Sequence, residues 1–147
     1  IIMGSTSDMP VMQEAAKVLD ELEICFEINA LSAHRTPEKV MEFAGAAREN
    51  GIRVIIAGAG GAAHLPGVVA AFTTLPVIGI PLPGGMMDGL DSLLSTVQIP
   101  KGVPVATMSI GKSGAINAAI LCAEIISLND NTFVEKLSEF KLNGSKI

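Results

Sequence analysis

The sequence predicts an α/β domain: a parallel β-sheet with helices on both faces. Three observations point there. Strand, loop and helix signals alternate from one end of the chain to the other, the pattern of repeated βα units. The strand segments are continuously apolar, as strands covered on both faces are. Each of the first three strands ends in a small polar loop containing glycine or serine.

Ile1-Ile2-Met3 reads as the tail of a buried strand that ends at Gly4-Ser5-Thr6-Ser7-Asp8. Because the chain opens inside a strand, its natural N-terminus is expected to lie upstream. A helix is predicted from about Pro10 to Leu22, with Val11, Ala15, Val18, Leu19 and Leu22 on one face. Phe26 to Ala30 is the second strand and runs into Ser32-Ala33-His34-Arg35-Thr36-Pro37. Thr36 then Pro37 is a helix start, a hydroxyl cap followed by proline where no amide hydrogen is needed. Val40, Phe43, Ala44 and Ala47 continue that helix until Gly51 stops it.

Val54 to Ala57 is the third strand, followed by a loop from Gly58 to His64. Val77 to Ile80 is the fourth, followed by a Pro/Gly-rich loop from Pro81 to Gly89. A short helix over Asp91 to Val97 and a fifth strand over Val103 to Ile110 come next. Ser113 to Ser127 is a long helix, apolar nearly all round, which predicts burial on all sides and hence a subunit interface. The final helix, about Asn131 to Lys141, carries the stripe Phe133, Leu137, Phe140. All of 1–147 reads as one domain, with this last helix expected at an oligomer interface.

Composition excludes several classes of function. Charged residues are 17% of the chain against a usual share of about 25%, too few to cover a monomer comfortably, so a homo-oligomer is expected. The net charge of -5, the lack of a basic stripe and the absence of Trp and Tyr argue against nucleic acid as a partner. Mean hydropathy is +0.50, but the longest apolar stretch, Val54 to Phe72, is broken by glycines, His64 and Pro66 and cannot be one membrane span. Cys25 and Cys122 lie far apart in apolar segments and read as reduced core residues of a cytosolic protein. The sequon Asn143-Gly144-Ser145 reads as chance without a secretory signal.

In an open parallel sheet, ligands bind beyond the carboxyl ends of the strands. The loops predicted there contain Ser5, Ser7, Asp8, Ser32, His34, Arg35 and His64, and so hold both histidines of the chain. A lone histidine is usually structural; two of two at strand ends favours function, above all for His34. Gly4 to Asp8 leads into a helix N-terminus, where free amides and the helix dipole favour an anion, although a serine-rich turn capped by Asp8 explains the same residues. Arg35 supplies a forked cation suited to phosphate, or else a solvated surface charge. Together these residues describe a site for a phosphorylated small molecule.

Gly58 to Ala63 satisfies G-x-G-x-x-A, but no carboxylate stands about twenty positions on to hold ribose hydroxyls. Gly111-Lys112-Ser113 mimics the end of a phosphate-binding loop, yet Ala106 occupies the place of its first glycine. The small residues of the third loop suggest close approach to a flat ring. Two histidines and two separate cysteines give no metal cluster, and Asp88 with Asp91 would bind a hard ion weakly. No G-x-S-x-G elbow supports a serine nucleophile. What remains is acid–base catalysis by an imidazole, whose ordinary pKa of about 6.5 suits neutral pH.

Three stretches carry a resemblance: Gly4-Ser5-Thr6-Ser7-Asp8, Ser32-Ala33-His34-Arg35-Thr36-Pro37, and Gly58-Ala59-Gly60-Gly61-Ala62-Ala63-His64-Leu65-Pro66-Gly67. Asp91 to Ser95, Gln98-Ile99-Pro100, Gly102 to Val105 and Ile110-Gly111-Lys112 extend it over essentially the whole chain. The sequence resembles the class I N5-carboxyaminoimidazole ribonucleotide mutases of purine biosynthesis. That resemblance implies a flavodoxin-like three-layer sandwich, an octamer, a cytoplasmic location, and conversion of the N5-carboxy to the 4-carboxy ribonucleotide without metal or cofactor. It implies that His34 is the acid–base residue, that Ser5, Ser7 and Arg35 hold the phosphate, and that Asp8 holds the ribose. Ala59, Gly60 and Ala62, with Ser32 and His64, would frame the ring and a trapped CO2.

Three other families share parts of this pattern. The related class II carboxylases, which use free CO2, tend to carry lysine where Arg35 stands and lack the Ala-Ala-His-Leu-Pro-Gly run. A carboxylating enzyme of nickel-pincer cofactor synthesis would need a further N-terminal domain. A non-catalytic flavodoxin-like module would need aromatic residues to stack on a flavin, and this chain has five Phe and no Trp or Tyr. One departure from the family pattern stands out: the loop Pro83-Gly84-Gly85-Met86-Met87-Asp88 is richer in glycine and methionine than expected.

Overall fold

Strands β1 (Ile2–Met3), β2 (Asn29–Ala30), β3 (Ile55–Gly60), β4 (Val77–Leu82) and β5 (Ala106–Thr107) form one sheet in the order β2-β1-β3-β4-β5. Every pairing is parallel. The computed structural model describes residues 1–145. Helices α1 (Met9–Glu21), α5 (Lys112–Ser127) and α6 (Thr132–Leu142) lie together, while α2 (Pro37–Ala46), α3 (Leu65–Ala71) and α4 (Leu90–Val97) lie on the opposite face.

Side-chain alternation along the strands builds this three-layer arrangement. Ile1, Met3, Ile56, Ile78, Ile80 and Leu82 pack with α1 and α5, whereas Ile2, Ile55, Ala57, Ala59 and Val77 pack with α2 and α3. Both faces are buried, so the strands read as continuous apolar runs. Going from β1 to β2 the chain moves one way across the sheet with α1 on one face. From β2 onward it moves the other way with α2, α3 and α4 on the other face. Reversing direction and face together keeps every crossover of one hand.

The predicted elements are present, with four differences. The second and fifth strands are two residues each, not the longer runs Phe26–Ala30 and Val103–Ile110; both lie at sheet edges, where short strands limit unpaired backbone. The third and fourth strands run further than expected, to Gly60 and Leu82, because Gly58–Gly60 pair in register with Ile80–Leu82. Gly58 is therefore a strand residue, and a side chain there would collide with the buried Met12 sulfur of α1. Helix α3 is an additional element; Pro66 occupies its first turn, where proline is tolerated, rather than breaking an apolar run. Thr36 does not cap α2 with its hydroxyl, which instead donates to the Ser32 carbonyl and accepts from the Ser32 amide.

One burial expectation also changes. Cys122 is buried, and desolvation pushes its thiol up to about 11, but Cys25 is exposed and is no core residue. Helix α5 buries Ala115, Ala118, Ala119, Cys122 and Ala123 within the chain, while Ile116, Ile120, Leu121, Ile125 and Ile126 are only partly covered. Helix α6 buries Leu137 and packs Phe133 against the same core. Among the described residues no helix is long and apolar enough to cross a membrane.

Helix α1 ends in a paired-bond motif: the Ile24 amide donates to Leu19 O at 2.8 Å and the Glu23 amide to Asp20 O at 2.9 Å. Glu23 stands at the position that glycine favours, with φ of 59°. Its ion pair with Lys136 is exposed and contributes little. Glu23→Gly is expected to raise the thermal midpoint by about 2–4 °C, read by circular dichroism, because glycine relieves the left-handed backbone.

Candidate active site

Two clefts of similar volume open at opposite ends of the sheet. The one at the amino ends of the strands, about 540 Å³, is lined largely by apolar side chains such as Ile24, Phe26, Phe43 and Phe133. The one at the carboxyl ends, about 560 Å³, gathers the polar and titratable groups. It lies over the point between β1 and β3 where the chain reverses direction across the sheet, the place where ligands bind in open parallel sheets.

Four loops build this cleft. After β1 come Gly4, Ser5 and Asp8; after β2, Ser32 to Arg35; from the end of β3, Ala59 to Leu65; after β4, Pro83 to Gly85. Of the residues expected from sequence, Ser5, Asp8, Ser32, His34, Arg35, Ala59, Gly60, Ala62 and His64 all line it. Ser7 lies just outside, its hydroxyl 2.8 Å from the Ser5 hydroxyl. The fourth loop also walls the site, although none of its residues is among those expected. The same rule about strand carboxyl ends points to it, since Pro83 directly follows β4.

The two histidines meet. His34 Nε2 lies 2.7 Å from His64 Nδ1, and the rings are edge to face with centroids 4.9 Å apart. At that separation one nitrogen carries a proton and the other accepts it. Both imidazoles are exposed to the cleft. His64 immediately precedes α3 and His34 sits in the turn before α2, so packing of those helices on one sheet face sets the contact.

The first loop forms a capping box around a 3-10 turn over Thr6–Asp8. The Ser5 amide donates to Asp8 Oδ2 at 3.0 Å and the Ser7 amide to the Ser5 hydroxyl at 3.3 Å. The Asp8 amide is bonded too, to Ser5 O. The amides of Ser5, Ser7 and Asp8 are thus taken within the loop, as is the Ser7 hydroxyl, which donates toward Ser5 Oγ and Asp8 Oδ1. Arg35 crosses from the second loop and donates from Nη2 to Gly4 O at 3.2 Å, which brings a fixed positive charge beside the serines. The Arg35 amide is held by the Ser32 hydroxyl at 3.2 Å. Burial raises the Asp8 carboxyl above its ordinary value, against the lowering effects of the Ser5 amide, the Ser7 hydroxyl and Arg35.

The chain is similar to known proteins over nearly its whole length. The AIR carboxylase family model matches residues 1–146. The N5-carboxyaminoimidazole ribonucleotide mutase of Bacillus subtilis is 59% identical over 143 residues, 97% of this chain and 88% of that protein. The enzyme of the same name from Pyrococcus abyssi is 58% identical over 141 residues, 96% of this chain and 80% of its own length. Among solved structures, that of Treponema denticola PurE superimposes with a TM-score of 0.86 at 28% identity, covering 98% of this chain and 89% of the other.

The raised Asp8 carboxyl has a consequence for stability. A carboxyl with a higher pKa folded than unfolded favours folding when protonated, and that advantage is lost as pH rises through the folded value. Asp8→Asn is therefore expected to melt with the wild type below the ordinary carboxyl value of 3.8 and above it at neutral pH. Thermal melts across pH 3–8 check this; a variant less stable than wild type at pH 7 would show that the hydrogen bonds of the ionised group outweigh its desolvation.

Proposed function

The chain belongs to the AIR carboxylase family, and we infer from its mutase relatives that it is an N5-carboxyaminoimidazole ribonucleotide mutase, an isomerase of purine biosynthesis. The observation that carries the site-level reading is the contact of His34 with His64 in a cleft ringed by hydroxyls, Arg35 and small residues.

The reaction moves a carboxylate from the exocyclic nitrogen N5 to ring carbon C4. In our reading His34, protonated, gives its proton to N5 as the N–CO2 bond breaks, which leaves the aminoimidazole and CO2 in the cleft. C4 then attacks the CO2 carbon, and neutral His34 removes the C4 proton to restore the aromatic ring. One proton leaves and one returns, so the enzyme ends as it began and no external base is consumed. His64, already at hydrogen-bond distance, stabilises His34 in whichever state it holds.

Ser5, Ser7 and Arg35 hold the phosphate in this reading, and Asp8 the ribose hydroxyls. Arg35 suits a phosphate because its planar fork presents two parallel donors, and its bond to Gly4 O aims it before substrate arrives. Ala59, Gly60 and Ala62 carry no bulk to keep the ring away, and Ser32 and His64 complete the frame around ring and CO2. Retaining CO2 against C4 converts a bimolecular capture into an effectively unimolecular one. Arg35 and the run Ala62 to Gly67 favour the mutase over the CO2-dependent carboxylase.

The same reading extends to the assembly. A metal-independent, cytoplasmic octamer is proposed, with the partly covered isoleucines of α5 and the exposed Val134 of α6 at subunit contacts. A homo-oligomer of this kind covers apolar surface that the low charge content leaves unsolvated.

The test is carboxylate migration in chelator-treated buffer, followed by ultraviolet absorbance. Turnover of N5-carboxyaminoimidazole ribonucleotide, with little product from aminoimidazole ribonucleotide and bicarbonate, is the expected result; the opposite preference would move the protein to the carboxylases. His34→Asn is expected to lower kcat by about 10²–10⁴-fold in a folded protein, the range typical of general acid–base groups. Near-normal turnover in that variant would remove His34 from the mechanism.

A further inference from the structure

The Pro83–Gly85 wall of the cleft is held without an apolar anchor of its own. The two large side chains of this loop, Met86 and Met87, are 72% and 76% exposed, so packing does not fix it. Met87 and Asp88 have positive φ, 48° and 53°, a conformation that persists only where the surroundings impose it.

What imposes it is a set of side chain to backbone bonds. The buried Ser92 hydroxyl lies 2.8 Å from both Leu82 O and Gly89 O and so closes the base of the loop. The Gly84 amide donates to Asp88 Oδ1 at 3.3 Å. Asp91, from the first turn of α4, reaches back into the loop: its Oδ2 accepts from the Met86 amide at 2.9 Å and its Oδ1 from the Ser92 amide at 2.8 Å. Gly85 makes that reach possible, because a Cβ there would overlap the Asp91 carboxylate. Asp91 itself does not line the cleft.

We propose that Asp91 is a positioning residue for the mutase: through the Met86 amide it fixes the Pro83–Gly85 wall against which the substrate lies. This rests on the mutase reading of the cleft. A wall that contacts substrate and transition state alike contributes uniform binding, so its loss raises KM and leaves kcat nearly unchanged. A merely structural role would lower the amount of folded enzyme and leave KM alone.

The experiment measures kcat and KM for N5-carboxyaminoimidazole ribonucleotide in Asp91→Ala, Asp91→Asn, Gly85→Ala and the Asp91→Ala/Gly85→Ala pair. Hydrogen exchange of the 83–90 segment is followed alongside. Asp91→Ala is expected to raise KM about tenfold or more with kcat within about threefold, and to speed exchange in that segment. Asp91→Asn keeps one oxygen to accept the Met86 amide but turns its NH2 toward the Ser92 amide, so KM should fall between those of the wild type and Asp91→Ala. Gly85→Ala should reproduce the KM rise by displacing the carboxylate, and the pair should be no worse than either single change. Unchanged exchange in Asp91→Ala overturns the tether, and faster exchange with wild-type KM overturns its role in binding. Full additivity in the pair also overturns the proposal. A wild type inactive on this substrate would sink the functional reading alone, and the exchange comparison would still decide the tether.

Discussion

Ile2 and Met3 pair with Asn29 and Ala30 on one side and with Ala57 and Gly58 on the other, and this two-sided pairing of a two-residue strand sets the site. From β1 the chain steps outward to β2, then crosses back past β1 to β3. The loops leaving β1, β2 and β3 therefore emerge side by side at one edge. Arg35 of the second loop reaches Gly4 O of the first, and His34 reaches His64 of the third. Neither contact is local in sequence: they span 31 and 30 positions. Both depend on register. A one-residue slip of β1 would exchange Ile2 with its neighbours between the two helical layers, and the opposed cores would reject it.

The parts of this architecture legible in the sequence are those set by local chemistry. Continuous apolar strands and the proline in the first turn of α2 point to the α/β class, and polar residues where strands end point to Ser5, Asp8, Ser32, His34, Arg35 and His64, which share one cleft; Ala59, Gly60 and Ala62 come from the family resemblance. What stayed hidden depends on tertiary partners. The lengths of β2 and β5 follow from their places at the edges, which periodicity does not encode. Gly58 looked like a loop glycine because nothing in its neighbourhood reveals that Met12, 46 positions earlier, packs against its α-carbon side. Thr36 has the right identity for a cap, but the tight turn around His34 claims its hydroxyl. Cys25 sits between apolar neighbours yet faces outward before the short β2 begins.

The first loop shows how one set of groups serves both fold and ligand. In the free chain Asp8 and Ser5 satisfy each other's amides in a capping box, and the Ser7 hydroxyl joins them. The loop is thus ordered before substrate arrives, which removes a conformational cost from binding. In the proposed binding mode a phosphate meets the Arg35 guanidinium and a loop whose Ser5, Ser7 and Asp8 amides are already bonded. Both oxygens of the Asp8 carboxylate are engaged within the loop, Oδ2 by the Ser5 amide at 3.0 Å and Oδ1 by the Ser7 hydroxyl at 3.4 Å.

The histidine pair imposes the tightest chemical condition on the site. With 2.7 Å between Nε2 of His34 and Nδ1 of His64, two N–H groups cannot face each other, so the pair carries at most one positive charge while the contact lasts. That suits a reaction in which one proton is lent and returned. In the proposed mechanism an acid that has given its proton to N5 remains beside a neighbour able to donate a hydrogen bond. The base that must next take the C4 proton is thus kept aligned between the two steps. A lone imidazole in an open cleft would have to be held by water over the same interval, and water is what a site trapping CO2 needs to keep out.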